Sequence, residues 1–147
     1  MKLEAEVEID APPERVFDLL LDPARLDDWV TASHGVADAP DGPLEPGSSF
    51  RQHLRVGGAR FDVRWKVAEL ERPTLVVWDG HGPRGTDATV RYLLSEDGSG
   101  TRFRYCNEYH LPGGPLGSVA GRITSGPARR SMRTSLRKLK RMLESGH

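Results

Sequence analysis

The sequence predicts an α+β domain in which strands follow one another in succession and a long helix comes last. Three observations predict it. Residues 3–9 and several later segments alternate apolar with polar side chains, the period of a half-buried strand with one wet face. Turn residues separate these segments, among them Gly57-Gly58, a two-residue hairpin signal. From Ala128 the period becomes helical, with Met132, Leu136, Leu139 and Leu143 in one narrow stripe. A chain of 147 residues has the size of one domain with one core.

The elements follow in order. "LEAEVEI" puts Leu3, Ala5, Val7 and Ile9 on one face and Glu4, Glu6 and Glu8 on the other. "DAPPERVFDLLLDP" predicts a short helix, opened by proline and by Glu14 at the positive helix start, with Val16, Phe17, Leu20 and Leu21 on one side. Asp22-Pro23 stops it and caps a second short helix over residues 24–29. Residues 31–47 are rich in Gly, Pro, Ala and Asp and predict a long surface loop, a lid or a mobile edge. Strands resume with Phe50, Gln52, Leu54 and Val56 on one face, then Phe61, Val63, Trp65 and Val67. Arg72-Pro73 turns the chain into "TLVVWD", read with Val76 and Trp78 inward. Ala88, Val90, Tyr92 and Leu94 follow, and "EDGSG" turns into a last strand, "RFRYCNEYHLP". Its inward set is Phe103, Tyr105, Asn107, Tyr109 and Leu111, an amide among aromatics.

The closing helix poses a problem of phase. Leu116, Val119, Ala120 and Ile123 form a stripe roughly 160° away from that of Met132 and Leu136, so one straight helix cannot bury both against the same sheet. Gly126-Pro127 lies between them, which predicts two helical segments. The second, residues 127–144, would span about 27 Å, matching eight strand residues at about 26 Å. Arg130, Arg133, Arg137 and Arg141 fall opposite its apolar stripe.

Composition narrows the function classes. The net charge is zero, yet residues 1–121 carry 13 Lys/Arg against 20 Asp/Glu and residues 122–147 carry 8 against 1. The basic face reads as the wet back of a helix lying on a sheet. It has neither interleaved aromatics for nucleic acid nor a Trp or Phe anchor for lipid. No apolar run approaches 20 residues, so no membrane span is expected. The amino terminus does not read as a secretory signal, and Cys106 is the single cysteine, so a cytoplasmic protein without an internal disulfide is expected.

"EVEIDAPPERVFDLLLDPARLDDWV" resembles the opening of the START/polyketide cyclase-dehydrase superfamily (SRPBCC), which includes the birch-pollen allergen relatives. "VAELERPTLVVW", "GTRFRYCNEYHLP" and "SLRKLKRMLE" extend the likeness over essentially the whole chain. The resemblance implies a helix-grip fold: a curved antiparallel sheet wrapped around the long closing helix, with two short helices after the first strand. It also implies an apolar cavity between sheet and helix for a lipid, polyketide, hormone or quinone-like molecule. The superfamily shares no catalytic motif. Pro127 departs from its uninterrupted helix.

With that fold, the inward residues become a candidate ligand wall: Phe50, Gln52, Phe61, Trp65, Trp78, Tyr92, Phe103, Tyr105, Asn107 and Tyr109, joined by Ile123 and Met132 from the helical part. Aromatic walls with a few polar handles suit a flat, mostly apolar, ring-bearing ligand. A buried amide without a partner costs about 1–3 kcal/mol, so Asn107 must bond a neighbour, a water or a ligand. The same cavity could serve a cyclase or dehydrase, with Tyr109 or Tyr105 donating to a carbonyl, Asn107 polarising it and His34 entering as base from the loop. No cofactor and no metal are expected, since the histidines lack partners at metal-ligand spacing. A third reading is a regulatory module that docks a partner protein through the basic helix, and a second copy of the chain, in a homodimer, stays open as a partner.

Overall fold

The computed structural model describes residues 2–56, 58–110 and 115–145, with side chains from Gly126 onward in the last stretch. In order, the elements are β1 (Lys2–Ile9), α1 (Pro13–Leu20), a 3-10 turn (Pro23–Arg25), α2 (Leu26–Trp29), β2 (Ser33–Ala37), β3 (Ser49–Val56), β4 (Ala59–Glu71), β5 (Leu75–His81), β6 (Asp87–Asp97), β7 (Gly100–His110) and α3 (Pro115–Ser145). Among the described residues seven strands form one antiparallel sheet in the order β1-β7-β6-β5-β4-β3-β2. Helix α3 touches both β1 and β3. Those strands are five spacings apart, about 24 Å in a flat sheet, whereas a helix is only about 10 Å across. The sheet therefore curls around the helix, and this is the helix-grip fold.

Local sequence explains each piece. In β1 Leu3 and Ile9 are buried while Glu4, Glu6 and Glu8 face outward, where Arg104 bonds Glu4 at 3.1 Å and Arg102 reaches Glu6 at 3.2 Å. In α1 Pro13 takes the first helical position, and Val16, Phe17 and Leu20 are buried. The Asp22 side chain accepts from the Ala24 N–H at 3.1 Å and caps the turn into α2. On α3, Met132, Leu136, Leu139 and Leu143 enter the core, whereas Arg130, Arg133, Arg137 and Arg141 are exposed. Glu144 fixes its far end, accepting from Asp10 N–H at 2.8 Å and from Lys140 at 2.6 Å. Nearer its middle, Ser135 Oγ accepts from the Thr31 N–H at 2.9 Å.

Two expectations are corrected. The loop expected over residues 31–47 contains β2, an edge strand pairing with β3 through Val36↔Gln52 and Ala37↔Arg51. Its register breaks between Ser33 and Val36. A five-residue edge strand with a bulge leaves little periodic signal. The two helical segments expected around Pro127 are one helix, α3, with Pro127 inside it. An interior proline removes one backbone bond and costs about 3 kcal/mol, which the intact turns on either side absorb. The apolar stripe through Leu116, Val119, Ala120 and Ile123, and Leu111 before it, lie outside the described side chains. The Gly57-Gly58 turn fits, since Val56 pairs with Ala59 across it, although Gly57 itself is outside the described residues.

Gly100 shows how closely the end of β1 lies against the start of β7. A Cβ on this residue would lie 2.5 Å from the Ile9 carbonyl oxygen. Gly100→Ala is therefore expected to destabilise the fold by about 1–3 kcal/mol in urea unfolding. An unchanged midpoint would show that β1 and the start of β7 are not locked this tightly.

Candidate functional site

The concave face is organised in cross-strand rows. One runs Phe50–Trp65–Gly80–Ala88–Tyr109, the next Val67–Trp78–Val90–Asn107–Leu3, the next Val76–Tyr92–Tyr105–Ala5. Gly80 matters because of the ring beside it. A Cβ there would lie 2.5 Å from the Trp65 ring carbons, so glycine is what lets the Trp65 indole lie across β5. Around it the aromatics pack edge to face: Trp78–Tyr92 at 5.0 Å, Tyr92–Tyr105 at 5.2 Å and Phe50–Trp78 at 5.2 Å. Trp29, from α2, closes over Tyr92 and Tyr105 at 5.9 and 6.2 Å.

These rings do not close completely. They leave a hollow of about 50 Å³. Of the residues expected to form a ligand wall, Gln52, Trp65, Trp78, Tyr92, Tyr105, Asn107 and Tyr109 line it. Leu54, Val56 and Val90 complete the sheet side; all three were on inward faces in the sequence but lacked the aromatic or polar mark of a site. Val30 and Ala32 form the opposite wall; in the sequence Val30 directly follows the second short helix and Ala32 falls in the stretch read as loop. The hollow therefore lies under the α2–β2 connection, and none of the described α3 side chains lines it.

The remaining wall residues lie elsewhere. Phe50, Phe103 and Met132 are buried core. Phe61 is half-buried and borders a separate surface depression with Arg60, Arg64 and His81. Ile123 lies outside the described side chains. His34 is corrected: it is exposed on β2, and by strand alternation its neighbour Ser33, 5% exposed, faces inward instead. His34 is not among the residues that line the hollow. His53 and His81 sit at exposed positions beside Asp62 and Asp87. Among the described residues no three His, Cys, Asp or Glu side chains are grouped to hold a metal ion.

The polar groups divide into two kinds. Gln52 is engaged: its Oε1 accepts from Trp65 Nε1–H at 2.9 Å, and its Nε2 donates to Ser33 Oγ at 2.9 Å. Ser33 in turn donates to Asp27 at 2.6 Å, and Asp27 also accepts from the Gly35 N–H at 3.0 Å. This chain pins β2 and α2 to the sheet and fixes the Gln52 amide. Asn107 is engaged on one side only: Nδ2 donates to the Tyr109 hydroxyl at 2.9 Å. Asn107 Oδ1 and Trp78 Nε1 are buried without a hydrogen-bond partner among the described residues. The tyrosines are neutral donors. Burial drives Tyr92 and Tyr105 above the ordinary phenol value, and Tyr109 is pushed up to about 12, with the Asn107 amide pulling the last two the other way.

The family model described as polyketide cyclase/dehydrase and lipid transport matches residues 1–144. "Toxin Rv0910" of Mycobacterium tuberculosis is 24% identical over 137 residues, covering 92% of both chains. Protein CV1439 of Chromobacterium violaceum shares the fold at a TM-score of 0.74 with 17% identity, over 97% of this chain and 96% of that one. Ara h 8.0201 does so at 0.70 with 14% identity, over 99% of each. At such identities the solved structures speak for the fold alone. Among the described residues no helix is long and apolar enough to cross a membrane.

The raised phenols have a pH signature. The unfolded chain releases tyrosine protons near pH 10, while the folded chain holds them longer. The stability they contribute is full below about pH 10 and is lost as pH climbs toward about 12. Absorbance at about 295 nm, which reads phenolate, should stay flat through about pH 11 in the folded protein and rise with unfolding. A tyrosine titrating near pH 10 while the fold persists would contradict the buried geometry.

Proposed function

The chain belongs to the polyketide cyclase/dehydrase and lipid transport family, and from that premise we propose that it binds a small, mainly apolar, ring-bearing molecule in the hollow on the concave face of the sheet. One observation carries the reading. Asn107 Oδ1 and Trp78 Nε1 are buried in an aromatic wall that supplies neither with a partner. Trp29 Nε1, Thr31 Oγ1 and Arg51 Nε are also buried without a partner among the described residues, but only Asn107 and Trp78 line the hollow, where each orphan costs about 1–3 kcal/mol. A ligand with a polar end relieves both.

The present hollow takes the end of such a molecule. A cavity of about 150 Å³ is what accommodates benzene, so a whole ring enters when the lining moves apart. Ala32, Leu54, Val56 and Tyr109 are the half-buried members of the lining, while Trp78, Tyr92 and Tyr105 are buried, so widening begins on the former side. Binding is favoured over the cyclase-type alternative by the chemistry of the lining. It comprises aliphatic groups, two amides, two indoles and phenols held neutral, with no described group that exchanges protons near neutral pH.

Trp65 and Trp78 report on the site directly. Titration with naphthalene should change tryptophan emission, and native mass spectrometry should show a one-to-one adduct. Leu54→Trp, which fills the accessible side, should weaken binding at least about tenfold while leaving the fold intact. Absence of binding by naphthalene and by any naturally carried molecule in the fresh protein would refute the proposal.

A further inference from the structure

Trp78 and Asn107 line the hollow, each keeps one buried atom without a partner among the described residues, and the two atoms differ in kind, which specifies the polar end of the ligand. Asn107 is 8% exposed and Trp78 2%. The carboxamide oxygen of Asn107 can only receive a hydrogen, and the indole N–H of Trp78 can only give one. Sheet register brings them together: Trp78 pairs with Val90 and Val90 with Asn107, so all three stand in one row facing the same hollow. Their Cα atoms are two strand spacings apart, about 10 Å. Asn107 Nδ2 donates to the Tyr109 hydroxyl at 2.9 Å, which leaves Oδ1 as the atom without a partner among the described residues. Gln52, the other amide of the lining, is fixed by Trp65 and Ser33. Among the described residues no cationic side chain borders the hollow.

We infer that the buried polar group of the ligand is a neutral hydroxyl that accepts from Trp78 Nε1–H and donates to Asn107 Oδ1. This rests on the ligand-binding reading above and narrows it. A hydroxyl carries donor and acceptor on one oxygen, which suits a hollow of about 50 Å³. An ether or ketone satisfies Trp78 and leaves the Asn107 carbonyl orphaned. A carboxylate offers Asn107 no hydrogen and enters a site with no compensating charge. An unsubstituted ring leaves both atoms unpaired.

Calorimetric titration with four matched compounds tests this at neutral pH, where a naphthol keeps its proton: naphthalene, 2-methoxynaphthalene, 2-naphthol and 2-naphthoate. The naphthol should bind about tenfold or more tightly than the methoxy ether, and the naphthoate weakest of all. Asn107→Leu should bring the naphthol-to-ether ratio close to one while naphthalene binding is retained. Trp78→Phe should weaken naphthol and ether alike. Equal affinity of the wild-type protein for naphthol and ether, or a preference that survives Asn107→Leu, overturns the hydroxyl assignment and leaves ligand binding standing. Failure of all four, naphthalene included, overturns both.

Discussion

A buried hydrogen-bonding atom must find a partner or carry its desolvation cost, and this constraint organises the interior. The period of two along β7 sends Phe103, Tyr105, Asn107 and Tyr109 to the concave face together. Three of those residues bury ring surface at little polar cost. Asn107 does not, and its carboxamide divides between Tyr109 on one side and the hollow on the other. The curl of the sheet, the ring packing of Trp78, Tyr92 and Tyr105, and the wall of Val30 and Ala32 enclose that hollow. The hydrophobic effect drives the enclosure but is indifferent to direction; the amide and the indole N–H supply direction.

The network from Trp65 through Gln52 and Ser33 to Asp27 shows the contrasting solution. There the protein satisfies its own buried amide and gains rigidity, tying an edge strand and a short helix to the sheet centre. The two amides lie in one lining and do different work. Gln52 holds the wall in place, whereas Asn107 keeps a buried oxygen without a partner among the described residues.

Much of the fold was legible because the strands follow their period closely. β1 and β6 alternate without interruption, β7 does so apart from the buried Cys106, and the stripe of Met132, Leu136, Leu139 and Leu143 matched the buried face of α3. β2 was not legible, since five residues with a bulge in a Gly- and Pro-rich stretch carry almost no periodic signal. Pro127 misled because breaking and interrupting a helix look alike in sequence, and the difference depends on the turns around it. Asn107 and Tyr109 were readable as neighbours on one face. Val30, Ala32 and the enclosing role of Gly80 were not, because each acts through a residue distant in sequence. The size of the hollow was also out of reach, since it is a small difference between large packed volumes.

A high-resolution X-ray structure of the freshly purified protein tests the central claim most directly. The account expects an occupant in the hollow within about 2.7–3.2 Å of both Asn107 Oδ1 and Trp78 Nε1. It is contradicted if the rings close the space completely, or if those two atoms are paired with protein groups and leave nothing for an occupant to satisfy.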